Sequence, residues 1–217
     1  MSVAKRRNGC GWELERAAWA DGAGRVAGVD EVGRGPLFGP VVAAAVVLPA
    51  ECAQDAGRLA GLTDSKLLSE ATRERLAEEI RALAVAWAVA CVDVATIDRV
   101  NIREATRMAM REAIAAVGAD FALVDGNCAV DLSGMRCGQR TMVQGDRRSI
   151  SIAAASVVAK VDRDARMRQM DAEFPGYGLA RHKGYGTAEH LAALRRLGAT
   201  AEHRRSFRPV REALERV

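Results

Sequence analysis

Residues 26–48 read VAGVDEVGRGPLFGPVVAAAVVL, two apolar runs joined by a segment rich in glycine and proline. Residues 26–31 are an apolar strand that ends in two acids, Asp30 and Glu31. Residues 33–40 (GRGPLFGP) are punctuated by glycine and proline and form a loop. Residues 41–48 (VVAAAVVL) are a continuous apolar run, short, valine-rich and bounded by Pro49, which reads as a buried strand.

Outward from this pair, residues 11–20 (GWELERAAWA) form a short amphipathic helix. Residues 69–84 form a helix that Ser69 can cap, with Leu76, Ile80 and Leu83 on one face. Residues 86–94 are a third strand, 95–117 one long helix, and 121–125 (FALVD) a fourth strand closed by Asp125. A short strand is expected near 140–143. Helices follow at 149–171, 187–197 and 209–216. This order predicts an α/β sheet covered by helices, in one domain spanning 1–217, with 187–217 a helical C-terminal segment.

The chain has 217 residues, enough to bury a core without disulfide or metal staples. Its formal charge is +4, built on four lysines and many arginines, which makes a polyanion a plausible partner. Base composition accounts for much of that arginine excess. The five cysteines show no metal or redox spacing and read as free thiols of a reducing compartment. No signal peptide is expected at the start, and no run suits a membrane span, so a cytoplasmic protein is expected.

The acids carry the chemistry. For any one acid after a strand, plain turn chemistry is the readier reading. Two strands that each bring carboxylates to one rim would instead build a hard-cation site, because carboxylate oxygens suit magnesium and manganese. Adjacent strand residues point to opposite faces, but at the strand end the pleat can relax and let Asp30 and Glu31 approach one site. Turn formation does not call for the Gly33-Arg34-Gly35 that follows them; glycines let a backbone approach a ligand. Asp146 is a fourth acid, just before the helix at 149–171, where a plain capping acid is the alternative. Asp164, about 27 Å further along that helix, is expected to be a surface ion-pair partner.

Six segments together resemble the ribonuclease HII family: VAGVDEVGRGPLFGPVVAAAVVL, LTDSKLLS, ALVDGN, GDRRSISIAAASVVAKVDRD, YGLARHKGYGT with EHLAAL after it, and HRRSFRPV. They occur in the family's order over about residues 12–210. The resemblance implies a ribonuclease H-like fold with a central mixed five-stranded sheet. It implies endonucleolytic cleavage of RNA in RNA–DNA hybrids and on the 5′ side of ribonucleotides embedded in duplex DNA. It assigns two divalent ions, Mg2+ or Mn2+, to Asp30, Glu31, Asp125 and Asp146. It assigns the ribose 2′-hydroxyl to Gly33, Arg34 and Gly35 together with Tyr185; a monomer is expected.

Around the resemblance, Ser65, Lys66 and Lys183 are expected to contact substrate, the two lysines through phosphate. Arg204 and Arg205 suggest a basic patch, with Phe207 structural. His182 lies near the substrate motif, while His190 and His203 are expected to be structural. The chain departs from the family pattern at Val32, at Phe38, which could reshape the loop edge, and in a slightly long 128–140 segment. No clamp-binding extension is expected at Val217. A binding module without catalysis, or another nuclease on the same fold, would leave the four acids or the glycine loop without a use.

Overall fold

The computed structural model describes residues 10–55, 59 and 61–215. The readings made of residues 1–9, including Lys5, and of 216–217 lie outside them. Five strands, β1 (Val26–Val32), β2 (Val41–Val47), β3 (Ala86–Val92), β4 (Phe121–Asp125) and β5 (Gly138–Met142), make one sheet in the order β3-β2-β1-β4-β5. β1–β2 and β2–β3 are antiparallel; β1–β4 and β4–β5 are parallel. The mixed sheet therefore has the acid-bearing strand at its centre.

Helices cover both faces. They are α1 (Glu13–Ala20), α2 (Glu70–Leu83), α3 (Val94–Val100), α4 (Ile102–Val117), α5 (Ile150–Glu173), α6 (Leu179–His182), α7 (Ala188–Leu197) and α8 (Arg208–Leu214). All of β2 is buried, as the apolar run requires. Ala43, Ala45 and Val47 join Ala105, Ala109 and Ala113 of α4 on one face. Ala44 and Val46 join α5 and α2 on the other. Alanines on both sides bring helix and sheet close. At Gly28 the approach is closest: a Cβ there would lie 1.9 Å from the Ser151 carbonyl carbon of α5. No side chain fits, so glycine is what lets α5 lie directly on β1.

Two expectations need correction. The single helix over 95–117 is two helices, broken at Asn101. Asn101 takes φ 75° and its side chain accepts hydrogen bonds from the Arg103 and Glu104 N–H groups. Asparagine tolerates the left-handed backbone and caps well, which makes the break favourable there. Asp164 is not on the surface: it is buried on α5, 2.6 Å from Lys160 Nζ and 4.0 Å from Arg73. The ion pair was legible in the sequence; its burial under α2 was not.

Candidate active site

Asp30 and Glu31 stay in regular strand geometry, because β1 runs to Val32. The pleat does not relax, and the two carboxylates leave opposite faces. Asp30 turns toward α5, where the Ser156 side chain bonds it. Glu31 turns toward α4 and lines a cleft with Arg34, Arg103, Thr106, Arg107, Met110 and Asp125. The pairing Val29↔Val124 places Asp125 beside Asp30 across the parallel ladder. Asp125 is fixed by the Gly145 N–H, which donates to its Oδ1 at 2.6 Å. That bond also draws in the 3-10 turn Gly145–Arg147, which carries Asp146.

Asp146 is not a helix cap. Ser149 caps α5, accepting from the Ile152 N–H, and the buried Glu15 of α1 accepts from the Ser149 hydroxyl and the Ser151 N–H. With the helix end satisfied by these two, the Asp146 carboxyl is left for other work.

The electrostatics tie the four acids together. Burial, then the charges of Glu31 and Asp125, push Asp30 well above the usual carboxylate range, against the Ser156 hydrogen bond. Burial raises Glu31 too, with Asp125 adding and Arg34 opposing. Asp146 is raised to about 6 by burial and by Asp64 and Asp125. Asp125 is thus the acid that all three others feel. Among the described residues no three His, Cys, Asp or Glu side chains form a group that could hold a metal ion by themselves.

Two site residues were missed in the sequence. Asp64 is buried and accepts from the Lys66 N–H at 3.0 Å and from Arg147 at 2.9 Å. Burial works against its charge, yet these bonds and the nearby cations leave its carboxyl below the usual range. Ser156 shares a 2.9 Å hydrogen bond with Ser65, so Ser65 and Ser156 form a chain that reaches Asp30. Ser65 is buried, and its hydroxyl is engaged there. The available signals were an acid inside Thr63-Asp64-Ser65-Lys66 and a lone serine in an alanine-valine helix face. Lys66 is exposed beside them. Lys183 is half-buried, with its Nζ donating to the Ala180 carbonyl at 2.6 Å.

The 33–39 loop is held from behind by two arginines that are fully buried. Arg204 donates to the carbonyls of Gly33 (2.6 Å), Arg34 (3.0 Å) and Gly39 (2.9 Å). Arg163 donates to the carbonyls of Phe38 (3.3 Å) and Lys183 (2.9 Å). Arg204 is therefore a loop brace, which corrects the surface patch expected of Arg204-Arg205; its guanidinium lies 5.2 Å over the Phe207 ring. Gly33 takes φ +90°, and a Cβ there would strike Arg163 Nε at 2.2 Å, so only glycine fits. Phe38 is wholly buried against Met167, Tyr177 and Leu179 and fills the space under the loop, not its edge. The backbone of Leu37 bonds Gly184 and Arg204, so the loop and the Tyr185 segment are one unit. A Cβ on Gly35 would stand 3.5 Å from Tyr185 Cε1.

Histidines set the far side of that segment. The Thr200 N–H donates to His203 Nδ1 at 3.0 Å, so the His203 proton sits on Nε2 and faces His190 Nε2 at 3.3 Å. His190 then donates from Nδ1 to the Tyr185 carbonyl at 2.9 Å. Burial, with His190 adding, holds His203 down to about 3, against 6.5 ordinarily. Between those values the unfolded chain binds the extra proton, so stability falls as pH drops below about 6.5, by up to about 1.4 kcal/mol per pH unit for one group. The raised Asp146 acts oppositely over part of this range, so the comparison must be between variants. Urea unfolding of wild type and His203→Gln from pH 7.5 to 5 should give a flatter pH dependence in the variant; parallel curves would refute the assignment.

Four acids lie beside a braced glycine loop. The family model "Ribonuclease HII" matches residues 27–210. The chain belongs to the ribonuclease HII family. It is 57% identical over 206 residues to Ribonuclease HII of Rhodospirillum rubrum, covering 94% of this chain and 91% of the relative. The ribonuclease H2 from Pyrococcus horikoshii OT3 superposes with a TM-score of 0.75 at 24% identity, over 88% of this chain and 98% of that one. The RNase HII of the PCNA complex from Archaeoglobus fulgidus gives 0.72 at 27% identity, over 85% and 95%. As a ribonuclease HII, the chain is an endoribonuclease that hydrolyses the RNA strand of RNA–DNA hybrids. Its fold is ribonuclease H-like. Among the described residues no helix is long and apolar enough to cross a membrane.

Proposed function

We propose that this ribonuclease HII also cuts duplex DNA on the 5′ side of an embedded ribonucleotide and leaves 3′-hydroxyl and 5′-phosphate ends. Its role is removal of ribonucleotides and of RNA primers, by a monomeric, cytoplasmic, single-domain enzyme. The observation that carries the reading is the braced glycine loop beside the acids, with the Tyr185 ring at Gly35. The 2′-hydroxyl is what separates RNA from DNA at one position. A backbone held by Arg204 and Arg163 can hydrogen-bond that hydroxyl without reading a base. Tyr185 is 43% exposed, so its ring is available to a sugar.

Asp30, Glu31, Asp125 and Asp146 are the residues that would hold two divalent ions, Mg2+ or Mn2+. Their donor chemistry fits. All are oxygens, and the burial and mutual repulsion that raise three of them are what bound cations relieve. Magnesium is commonly held by one or two carboxylates plus water and substrate phosphate, so acids acting in pairs suit it without a closed cage. Bound ions would supply Lewis acidity and neutralise charge at the phosphodiester. The chain's own part is to hold the four carboxylates in place: Asp125 through Gly145, Asp30 through Ser156, Asp146 through its turn. Lys66 and Lys183 are the proposed phosphate contacts, the latter on leaving Ala180, while Ser65 serves through Ser156.

Tyr185→Ala tests the reading. On a duplex with one ribonucleotide, in Mg2+ or Mn2+ and with product ends mapped, kcat should fall while KM changes little, because the lost contact acts mainly in the transition state. Melting temperature should hold. Wild-type turnover in the variant, or parallel loss of stability and activity, would place Tyr185 in the structure alone.

A further inference from the structure

The cleft beside Glu31 and Asp125 has a second wall that the four acids and the glycine loop do not use. It is open to solvent, and its far side is the first two turns of α4, which present Arg103 and Arg107. A second depression continues from it past Arg107 to Arg111. Four-residue spacing puts Arg103 and Arg107 on one helix stripe.

Several arginines of this chain hold the backbone in place. Arg73 donates to the Ser65 and Leu68 carbonyls, Arg111 to those of Asp131 and Ser133, and Arg163 and Arg204 brace the glycine loop. Arg103 and Arg107 differ. Arg103 is exposed and reaches Cys128 Sγ at 3.4 Å, a weak acceptor. Arg107 Nη1 pairs with the half-exposed Glu104 at 2.9 Å, and its Nε is buried with no acceptor. A guanidinium has five N–H donors in a fork that suits phosphate oxygens. Two under-used forks in a concavity that ends on catalytic carboxylates form an anion site. The start of α4 adds positive potential from the helix dipole.

We propose that Arg103 and Arg107 form a phosphodiester subsite that grips the substrate's sugar–phosphate backbone on the α4 side of the catalytic acids. The subsite rests on the nucleic-acid reading above and extends it. It takes a phosphate flanking the scissile one, not the scissile phosphate, because the cleft the arginines line reaches only Glu31 and Asp125 of the four acids. It fixes where the strand lies, independently of the 2′-hydroxyl contact.

The test uses the full-length enzyme in Mg2+ and a duplex with one ribonucleotide. A neutral methylphosphonate is placed in turn at each backbone position on both strands. Wild type should lose kcat/KM at one or two flanking positions when the charge is removed there. Arg103→Ala should raise KM roughly tenfold with kcat little changed, and lower the salt slope of log kcat/KM by about one unit, as for one lost phosphate contact. In Arg103→Ala/Arg107→Ala the flanking methylphosphonate should no longer matter, while other positions keep their effect. Arg75→Ala on α2, an exposed arginine on the opposite face of the sheet from α4, should behave as wild type. Arg103→Ala is the safeguard against misfolding, since its side chain is exposed. An unchanged salt slope in Arg103→Ala, or unaltered methylphosphonate sensitivity at every position in the double variant, overturns the proposal. If wild type leaves the embedded ribonucleotide uncut, that substrate reading fails. The same scan on an RNA–DNA hybrid then decides the subsite separately.

Discussion

Asp125→Asn should give a folded protein that still binds RNA–DNA hybrid and cuts it at least about 10³-fold more slowly, a barrier increase of roughly 4 kcal/mol. Asparagine keeps an oxygen in place of Asp125 Oδ1, which accepts the Gly145 N–H at 2.6 Å, so the turn that carries Asp146 should stay put. What goes is one negative charge at the acid that Asp30, Glu31 and Asp146 all feel. The loss is therefore chemical and not architectural. Turnover measured with Mg2+ or Mn2+ limiting, beside melting and hybrid-binding curves, checks this. Near-normal turnover at limiting metal would remove Asp125 from the chemistry.

Arg204→Met should be the most damaging single change outside the acids. It strips donors from the carbonyls of Gly33, Arg34 and Gly39, each a buried or loop-bound acceptor. Each deserted acceptor costs about 1–3 kcal/mol. Relief of a buried guanidinium, whose pKa burial and the neighbouring Arg163 pull down to about 9, offsets part of that. Three acceptors outweigh one cation, and a net loss on the order of 3 kcal/mol follows, or roughly 6–12 °C in Tm for a chain of this size. Cleavage at an embedded ribonucleotide should fall even where the variant remains folded, because the loop loses its brace. Arg204→Lys should recover only part, since an ammonium cannot fork to three carbonyls. A variant within about 2 °C of wild type and fully active would show the brace to be dispensable.

Much of this was legible in local sequence. Strand and helix periodicity set the elements, because burial of one face imposes it residue by residue. The end of β4 at Asp125, the run of β2, and the Ser69 cap are all local facts, and each is decided within a few residues. The sequence itself carried the four acids, the glycine loop and their order along the chain, which is why the family could be recognised from segments alone.

Tertiary structure alone decided what those residues meet. Asp30 and Glu31 separate to opposite faces because β1 continues to Val32, and strand length depends on pairing with β2, not on the acids themselves. Arg204 read as part of a basic patch; it and Arg163 are buried against carbonyls that lie up to 171 positions away in the chain. Asp64 comes beside Asp146 across 82 positions of chain, held there by Arg147, the residue after Asp146. Local chemistry states which groups are present; a charge's neighbours, and so its protonation and its role, are fixed by packing between elements that the sequence lists far apart.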